Sequence, residues 1–353
     1  EGLPRHTSTH AAGVIIADIP LSDIIPVQEG SEEILLTQYP MGILEEIGLL
    51  KMDFLGLRNL TLLESVLKIV ERKYRTKIPL RDIPMNDEKT FRLLQNGKTT
   101  GIFQLETEGM TSVLLRLKPT DFEDIVAVNA LNRPGPMANI PVYIRRKHGK
   151  EIVQYPHPTL EPILKRTYGV IVYQEQIMQI ASEMAGFTLG EADLLRRAVS
   201  KKKRDILDQE RAHFVSGALK KGYSEEVANK IYDLIVRFAD YGFNRSHAVA
   251  YSMISYQLAY LKAHFPLAFM AALLSSAIGN ETKTAEYIRE VKQMGYTVYG
   301  PSINHSGYLY EIEKNGLRLS LAAIKGVGIQ ALKEILKARK NGPFQDLFDF
   351  CVR

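Results

Sequence analysis

The chain has 353 residues, enough for two or three domains, and 45% of them are hydrophobic, which supports a proper core. Its 45 Lys and Arg residues against 40 Asp and Glu give a net charge of +5, so the protein is mildly basic. The single cysteine, Cys351, excludes an internal disulfide and a cysteine-based zinc site, and it fits a reducing cytoplasm. The sequence shows no signal peptide and no run of eighteen apolar residues, so it does not predict a membrane-spanning segment. Because the chain opens at Glu1 without a methionine, we expect a piece of a longer protein.

Alternating apolar residues predict strands within the first 58 residues, at 13–17, 34–38 and 49–54. In the third strand, Lys51 and Asp53 project from one face, and apolar residues share the other. The spacing alone favours an exposed ion pair, which stabilises a protein very little.

Helical spacing of apolar residues begins at residue 59. The capping-box pattern from Thr188 to Glu191 opens a helix that runs into a basic segment. The other helices are predicted at 60–74, 87–96, 110–117, 122–131, 173–184, 205–221, 225–238, 248–264 and 269–277.

Two basic segments are candidates for contact with DNA. The prolines around Gly135 make the loop 132–136 rigid and hold Arg133 in a defined direction, although turn chemistry alone explains those prolines. Residues 145–150 are predicted as a basic loop tip. A solvated loop is the default interpretation, and contact with a phosphate backbone is the sharper one. Its candidate residues are Arg145, Arg146 and Lys147.

Two polar segments far apart in the sequence predict an anion site. Residues 196–204 hold six cations in nine positions with no acid among them. Cations that complement the helix dipole are a sufficient explanation for the two arginines, but less so for the three adjacent lysines. The lysines repel one another, and a bound polyanion relieves that repulsion. Residues 244–247, Asn-Arg-Ser-His, precede a helix that is apolar nearly all round and therefore buried. Its N-terminus favours a phosphate, unless Asn244 or Ser246 only caps it. We expect the two segments to converge into one cradle.

The end of the chain has a different organisation. Residues 308–313 and 317–321 alternate around Asn315-Gly316, which predicts a β-hairpin. Gly326 and Gly328 then form a tight turn between two short helices, similar to a helix-hairpin-helix. Two interpretations of this turn are equally favoured: it contacts DNA phosphate, or it is an ordinary helix–turn–helix packing unit. The DNA-contact candidates are Lys325, Gly326 and Gly328.

Other histidines and tyrosines are interpreted as structural. His6 and His10 have the i, i+4 spacing of a metal pair but no third ligand nearby. His157 and His264 show no functional pattern. Three tyrosines form a stripe that is typical of a core rather than of a base-stacking platform: Tyr251, Tyr256 and Tyr260.

Long motifs throughout the chain fall in the order of one known family. The sequence resembles the bacterial replicative DNA polymerase, the polymerase III alpha subunit of the DnaE type, over essentially its whole length. The resemblance implies a mainly α fold, with part of the palm sheet over 1–58, the fingers domain over 59–300, and a hairpin with a helix-hairpin-helix element over 301–353. The motifs are EGLPRHTSTHAAGV, KMDFLGL, GIFQLETEGM, NRPGP, YQEQIM, GEADLLRRAVSKKK, FADYGFNRSHAVAYSMISYQLAYLKAHFP and AIKGVG.

The resemblance implies a DNA-directed DNA polymerase that extends template-primer DNA with dNTPs by a two-Mg²⁺ mechanism. It makes Asp53 the third catalytic and metal-binding aspartate, with Lys51 beside it. The other two aspartates belong to an Asp-x-Asp pair that this chain lacks, so we expect the chain alone to be inactive. The implied partners are the sliding clamp and other replisome subunits.

The resemblance implies that residues from both polar segments bind the β- and γ-phosphates of the dNTP. They are Arg196, Arg197, Lys203, Asn244, Arg245, Ser246 and His247. Lys201 and Lys202 are further candidates for DNA contact. The alternative is a non-catalytic DNA-binding module, which a nucleoside triphosphate would not stabilise.

Overall fold

The structure is a computed structural model that describes residues 9–10, 12–30, 34–54, 56–200, 204–239 and 241–353. It consists of two compact units, residues 1–61 and 62–353. Helices dominate, and small sheets lie near the two ends of the chain, so the predicted fold class is confirmed. The finer division at residues 58 and 300 stays a prediction.

Two antiparallel ribbons form the sheets of the first unit. Strand β1 (Gly13–Ile16) pairs with β4 (Leu50–Asp53), and β2 (Val27–Glu29) pairs with β3 (Leu35–Thr37). Helix α1 (Met41–Glu46) links the ribbons and was not predicted, because its short apolar pattern fits a strand equally well. The strands of both ribbons pair in regular antiparallel register.

The faces of the β1–β4 ribbon alternate as predicted, but the apolar face is the more exposed one. Leu50, Met52 and Phe54 are 58%, 44% and 62% exposed. The Lys51 side chain on the opposite face is only 15% exposed. Alternation therefore predicted which residues share a face, and it did not predict which face is covered.

The helices from residue 58 onward begin and end within a few residues of most predictions. Helix α6 is an exception, because it includes three of the residues that were predicted as a basic loop tip. Also unpredicted are α7, α14 and α16. The bounds are α2 (Arg58–Tyr74), α3 (Glu88–Gln95), α4 (Glu108–Leu117), α5 (Phe122–Leu131), α6 (Ile140–Lys147), α7 (Glu161–Leu164), α8 (Gln174–Ala185), α9 (Leu189–Ser200), α10 (Arg204–Lys220), α11 (Glu225–Ala239), α12 (Arg245–His264), α13 (Pro266–Ser276), α14 (Glu281–Gln293), α15 (Ile329–Ala338) and α16 (Leu347–Val352).

Two hydrophobic clusters hold the second unit together. The larger one gathers the apolar stripes of α2 to α5 around α12 and α13. Helix α13 is apolar nearly all round, and its residues 267–274 are all buried. The smaller cluster lies among α8, α9, α10 and α11. The polar ends of α8, α9 and α12 are therefore held by buried helices.

The predicted hairpin near the end of the chain is confirmed, with shorter strands than expected. Strand β6 (Glu311–Glu313) pairs antiparallel with β7 (Gly316–Arg318), and β7 also pairs in parallel with β5 (Thr297–Tyr299). Glu313 forms two hydrogen bonds of 2.7 Å with Arg318, so its carboxylate is fixed within the sheet.

Candidate phosphate-binding site

The N-terminal turn of α12 binds negative and polar groups supplied by the protein itself. Asn244 is the N-cap: its Oδ1 accepts hydrogen bonds from His247 N and Ser246 Oγ, each at 2.9 Å. The backbone N–H of Arg245 donates to both carboxylate oxygens of Glu175, at 3.0 Å. The predicted cap by Asn244 is thus present, and the helix end binds the carboxylate of Glu175, a residue of this turn that sequence analysis missed.

The Arg245 side chain lies behind this turn. Its Nη2 donates to Glu123 Oε1 at 2.5 Å, and its guanidinium lies 5.7 Å from the ring centroid of Tyr173. The hydrogen bond to Glu123 raises the pKa of Arg245 above its ordinary value, and burial opposes it only in part. Together with Glu175, these three side chains line a cavity of about 260 Å³. Arg245 is therefore already paired with a carboxylate.

A single residue at the start of α8 joins the two predicted anion-binding segments. Gln174 Oε1 accepts a hydrogen bond of 3.4 Å from Arg196 Nη1. Its backbone N–H donates at 3.0 Å to the carbonyl oxygen of Phe243, the residue before the N-cap of α12. The guanidinium of Arg196 and the residue that precedes the N-cap of α12 thus both bond to Gln174.

An acid that sequence analysis overlooked partners the arginines of α9. Asp193 accepts from Arg196 Nη2 and from Arg197 Nε, both at 2.8 Å. The hydrogen bond from Arg196 is the main cause that lowers the pKa of Asp193. Asp193 lies three and four residues before the arginines, a spacing that could have identified it. The lysines Lys201, Lys202 and Lys203 lie outside the described residues.

A row of aromatic rings in edge-on and tilted contact runs along the α12 turn. The ring of His247 lies 4.2 Å from that of Tyr251 and 5.2 Å from that of Phe243, centroid to centroid. Phe103 continues the stack 5.4 Å beyond Tyr251. Tyr251 therefore belongs to the site's surface, whereas Tyr256 is fully buried, as predicted.

The loop that carries Arg133 supports the segment leading into α12. The Arg133 guanidinium lies 4.3 Å from the ring centroid of Phe243, and its Nη2 donates to Tyr241 O at 2.7 Å. Gly135 has φ +97°, and a Cβ there would lie 2.4 Å from the Tyr241 ring. Arg133 therefore has the defined direction that the prolines predicted, and it braces this turn.

The basic residues at the end of α6 are all paired with acids. Arg145 and Arg146 share Glu151, at 2.8 and 2.9 Å, and Lys147 Nζ lies 2.7 Å from Asp124 Oδ2. The side chains of Arg146 and Lys147 are only 13% and 9% exposed, so the solvated-loop interpretation is wrong for them. Arg145, 49% exposed, is the most accessible of the three.

In the first unit, Lys51 Nζ lies 3.2 Å from Asp53 Oδ1, and the Asp53 side chain is 55% exposed. His10 Nδ1 is 4.0 Å from the same oxygen, but that nitrogen accepts hydrogen bonds from the backbone N–H groups of Ala12 and Gly13. The described residues contain no group of three or more His, Cys, Asp or Glu side chains that could hold a metal ion. Asp53 offers one carboxylate, which does not fit a complete two-metal site. His6 lies outside the described residues.

Comparison with known proteins gives a consistent assignment. Residues 59–222 match the family model described as bacterial DNA polymerase III alpha subunit finger domain, residues 1–56 match bacterial DNA polymerase III alpha NTPase domain, and residues 295–353 match helix-hairpin-helix motif. The chain is 65% identical over its whole length to DNA polymerase III subunit alpha of Bacillus subtilis (strain 168), of which it covers 32%.

The same subunit from two other bacteria is also similar over the whole chain. The identity is 57% for Halalkalibacterium halodurans, with 32% of the relative covered, and 55% for Staphylococcus aureus (strain COL), with 33% covered. The chain belongs to the bacterial DNA polymerase III alpha subunit family. It spans about a third of the length of these relatives.

The region that matches the helix-hairpin-helix motif has an accessible glycine turn. Gly326 has φ +85°, and no atom lies within 4 Å of a Cβ added there or at Gly328. Lys325 is 92% exposed, with its Nζ 3.8 Å from Glu281. Gly328 precedes the first turn of α15, whose backbone N–H groups point toward this turn. Among the described residues, no helix is both long and apolar enough to cross a membrane.

Proposed function

We propose that this chain is the nucleotide-gripping part of a DNA-directed DNA polymerase of bacterial chromosome replication. The observation that carries the proposal is the junction at Gln174, which bonds both to Arg196 of α9 and to Phe243, the residue before the N-cap of α12. Helix N-termini and guanidinium groups are the groups that proteins use for phosphates. The relation to DNA polymerase III alpha subunits supports a dNTP as the phosphate ligand.

In this proposal, the β- and γ-phosphates of the dNTP replace protein carboxylates at the junction. Asp193 pairs with both arginines of α9, and Glu175 and Glu123 pair with Arg245. A triphosphate carries more negative charge than any of these carboxylates, so it competes for the same donors. The proposed ligands are Arg196, Arg197, Lys203, Asn244, Arg245, Ser246 and His247.

Template-primer DNA is the second proposed ligand. The exposed Lys325 and the open turn at Gly326 and Gly328 favour contact with phosphate, and Arg145 is accessible too. Arg146 and Lys147 would first have to leave their acid partners, and Arg133 would have to leave the α12 turn. Lys201 and Lys202 complete the proposed set. The sliding clamp and other replisome subunits are proposed partners of the whole polymerase.

We further propose that the 353-residue chain alone does not extend a primer. Polymerases of this kind use two Mg²⁺ ions held by carboxylates, and Asp53 is one carboxylate beside Lys51. Incubation of the purified chain with template-primer, dNTPs and Mg²⁺ is expected to give no product longer than the primer. Template-dependent extension would contradict this part of the proposal.

The nucleotide site is tested by thermal unfolding of the chain with and without a dNTP. A ligand at 100 times its dissociation constant stabilises the folded state by about 2.7 kcal/mol, so the melting temperature should rise. The double variant Arg197→Ala/His247→Ala should lose this rise, because both predicted phosphate donors are removed. Arg289→Ala, an exposed arginine on α14, is the matched control and should keep it.

Two results would count against the nucleotide site. If the double variant is stabilised as much as the unchanged chain, the phosphates bind elsewhere. If DNA stabilises the chain and no dNTP does, the non-catalytic DNA-binding module is the better assignment.

A further inference from the structure

A groove on the second unit lies between α6, α11 and the segment 169–171. It has a volume of about 380 Å³, and its charged lining residues are Arg146, Lys230 and Arg237. Among the residues that the structure describes, no Asp or Glu lines it. The groove is therefore basic, and of the residues proposed above for contact with DNA it contains Arg146.

Two of the cations face the groove from α11. Lys230 and Arg237 are seven residues apart, so they lie on one face of the helix, about 10 Å apart along its axis. Both are exposed, and neither forms an ion pair within the part of the chain that the structure describes. Two acids of the same helix, Glu226 and Asp233, line an adjoining cavity with these cations, and Asp233 pairs with Arg211. Both cations are therefore available for an anionic ligand.

The opposite wall adds a fixed positive charge. Arg146 Nη1 donates to Tyr168 O at 3.1 Å, which holds the guanidinium at the groove. Its carboxylate partner, Glu151, is shared with Arg145, so the three side chains together carry one net positive charge. Two half-buried aromatic side chains, Tyr155 and Phe238, also line the groove.

Residues on both walls of the groove adjoin segments that lead into the proposed nucleotide site. Phe238 lies near the end of α11, and its carbonyl oxygen accepts hydrogen bonds from Tyr241 N and Gly242 N in the turn before α12. On the other wall, Ile171 is two residues from Tyr173, whose backbone bridges to Phe243. The backbone of the groove walls is therefore connected to the segment that precedes α12.

We infer that this groove binds a single strand of DNA, with phosphates on Lys230 and Arg237 and unpaired bases against Tyr155 and Phe238. A basic groove with aromatic faces is the arrangement that recognises single-stranded nucleic acid, because every unpaired base has a face for stacking. A duplex keeps its bases stacked inside and offers only phosphates to this groove. The inference rests on the proposed function in naming the strand as DNA.

The test measures binding of the chain to a fluorescently labelled oligo(dT) by anisotropy at several salt concentrations. The double variant Lys230→Gln/Arg237→Gln removes two phosphate contacts. The slope of log K against log salt concentration should fall by about 1.4, and affinity at 0.1 M salt should fall roughly 25-fold. Arg289→Gln/Lys292→Gln, which removes the same charges from the exposed face of α14, should bind like the unchanged chain.

Each other outcome overturns the inference. It fails if the groove variant binds oligo(dT) like the unchanged chain, if the control variant loses affinity equally, or if the unchanged chain binds no oligo(dT). An equal loss with a duplex of the same length would remove the assignment to a single strand. The groove variant should still be stabilised by a dNTP, which separates failure of this inference from failure of the nucleotide site.

Discussion

The two ends of α12 satisfy their polar groups in different surroundings. Near its C-terminal end, Lys262 is fully buried, and its Nζ bonds to Glu290 of α14 and to the carbonyl oxygen of Thr100. At the N-terminal end, Arg245 is 40% exposed, and its partner Glu123 is 30% exposed. Partners enclosed by protein are fixed, whereas partners open to solvent can be exchanged for a ligand. The same helix thus carries a structural end and an end suited to binding.

The largest expected effect comes from breaking the buried pair. Burial lowers the pKa of Lys262, and the charge of Glu290 opposes this. Glu290→Ala leaves an ammonium group in the core without its counter-charge, so the free energy of unfolding should fall by about 3–5 kcal/mol. Urea unfolding followed by circular dichroism measures this change.

A double variant checks that the loss comes from the unpaired charge. Lys262→Met/Glu290→Leu replaces the pair with apolar side chains of similar size and should recover most of the stability. The free energy of unfolding of Glu290→Ala could instead lie within about 1 kcal/mol of that of the unchanged chain. The buried pair would then stabilise α12 no more than an exposed ion pair does.

The next effect concerns the loop that braces the N-terminal end. Gly135 has φ +97°, and a Cβ would lie 2.4 Å from the Tyr241 ring. Gly135→Ala should therefore destabilise the chain by about 1–3 kcal/mol. Gly109→Ala is the matched control, because Gly109 lies in α4 with nothing within 4 Å of an added Cβ. That change should leave stability the same or raise it by about 0.5–1 kcal/mol.

The steric collision with Tyr241 and the backbone strain at Gly135 can be tested separately. Adding Tyr241→Ala to Gly135→Ala removes the collision but keeps the unfavourable φ, so only part of the stability should return. Equal stability of Gly135→Ala and Gly109→Ala would show that the loop does not brace the site.

Local patterns in the sequence predicted most of the helices, because their caps and apolar spacing are short-range signals. Thr188 begins α9 through the capping-box hydrogen bonds with Glu191 that the sequence predicted. Helix α14 was missed, since its sequence is mostly polar and only Tyr287 and Val291 are buried. A pattern with so few apolar residues gives little periodicity to detect.

The candidate site shows where local reasoning stops. The polar block at 244–247 was found because a helix N-terminus is a local feature. Its partners Glu175 and Glu123 lie 70 and 122 residues from Arg245 in the sequence, and only tertiary packing brings them together. The sequence therefore predicted which groups attract an anion, and it could not predict which protein anions occupy them.

A smaller effect is expected in the pH dependence of stability, from the contact of Asp87 with His264 at the C-terminal end of α12. Burial alone would raise the pKa of Asp87, but hydrogen bonds from Thr90 and His264 outweigh burial and lower it. The stability that this carboxylate contributes is complete above its unfolded pKa of about 3.9 and is lost as pH falls through the lower folded value. Asp87→Asn, which keeps the N-cap of α3, should remove about 1 kcal/mol of this acid-dependent stability.

Urea midpoints between pH 2 and 5 measure the acid dependence. The unchanged chain should lose more stability over this range than Asp87→Asn does. Asp82→Asn, at a carboxylate that is 61% exposed and 3.6 Å from Arg81, is the control and should follow the unchanged chain. Identical pH profiles for all three proteins would show that the His264 end of α12 has no pH-sensitive contact.

The smallest effect concerns exchange at the N-terminal end. Glu123→Gln removes the charge that holds Arg245, so the guanidinium becomes available to a phosphate. Because both side chains are partly exposed, their attraction is worth at most about 1 kcal/mol, and dNTP affinity should rise by up to about fivefold. Glu151→Gln, which alters an ion pair at α6 instead, is the matched control and should leave dNTP affinity unchanged. Weaker dNTP binding by Glu123→Gln would mean that Glu123 positions Arg245 for the ligand, and that the two ends of α12 are more alike than their exposure indicates.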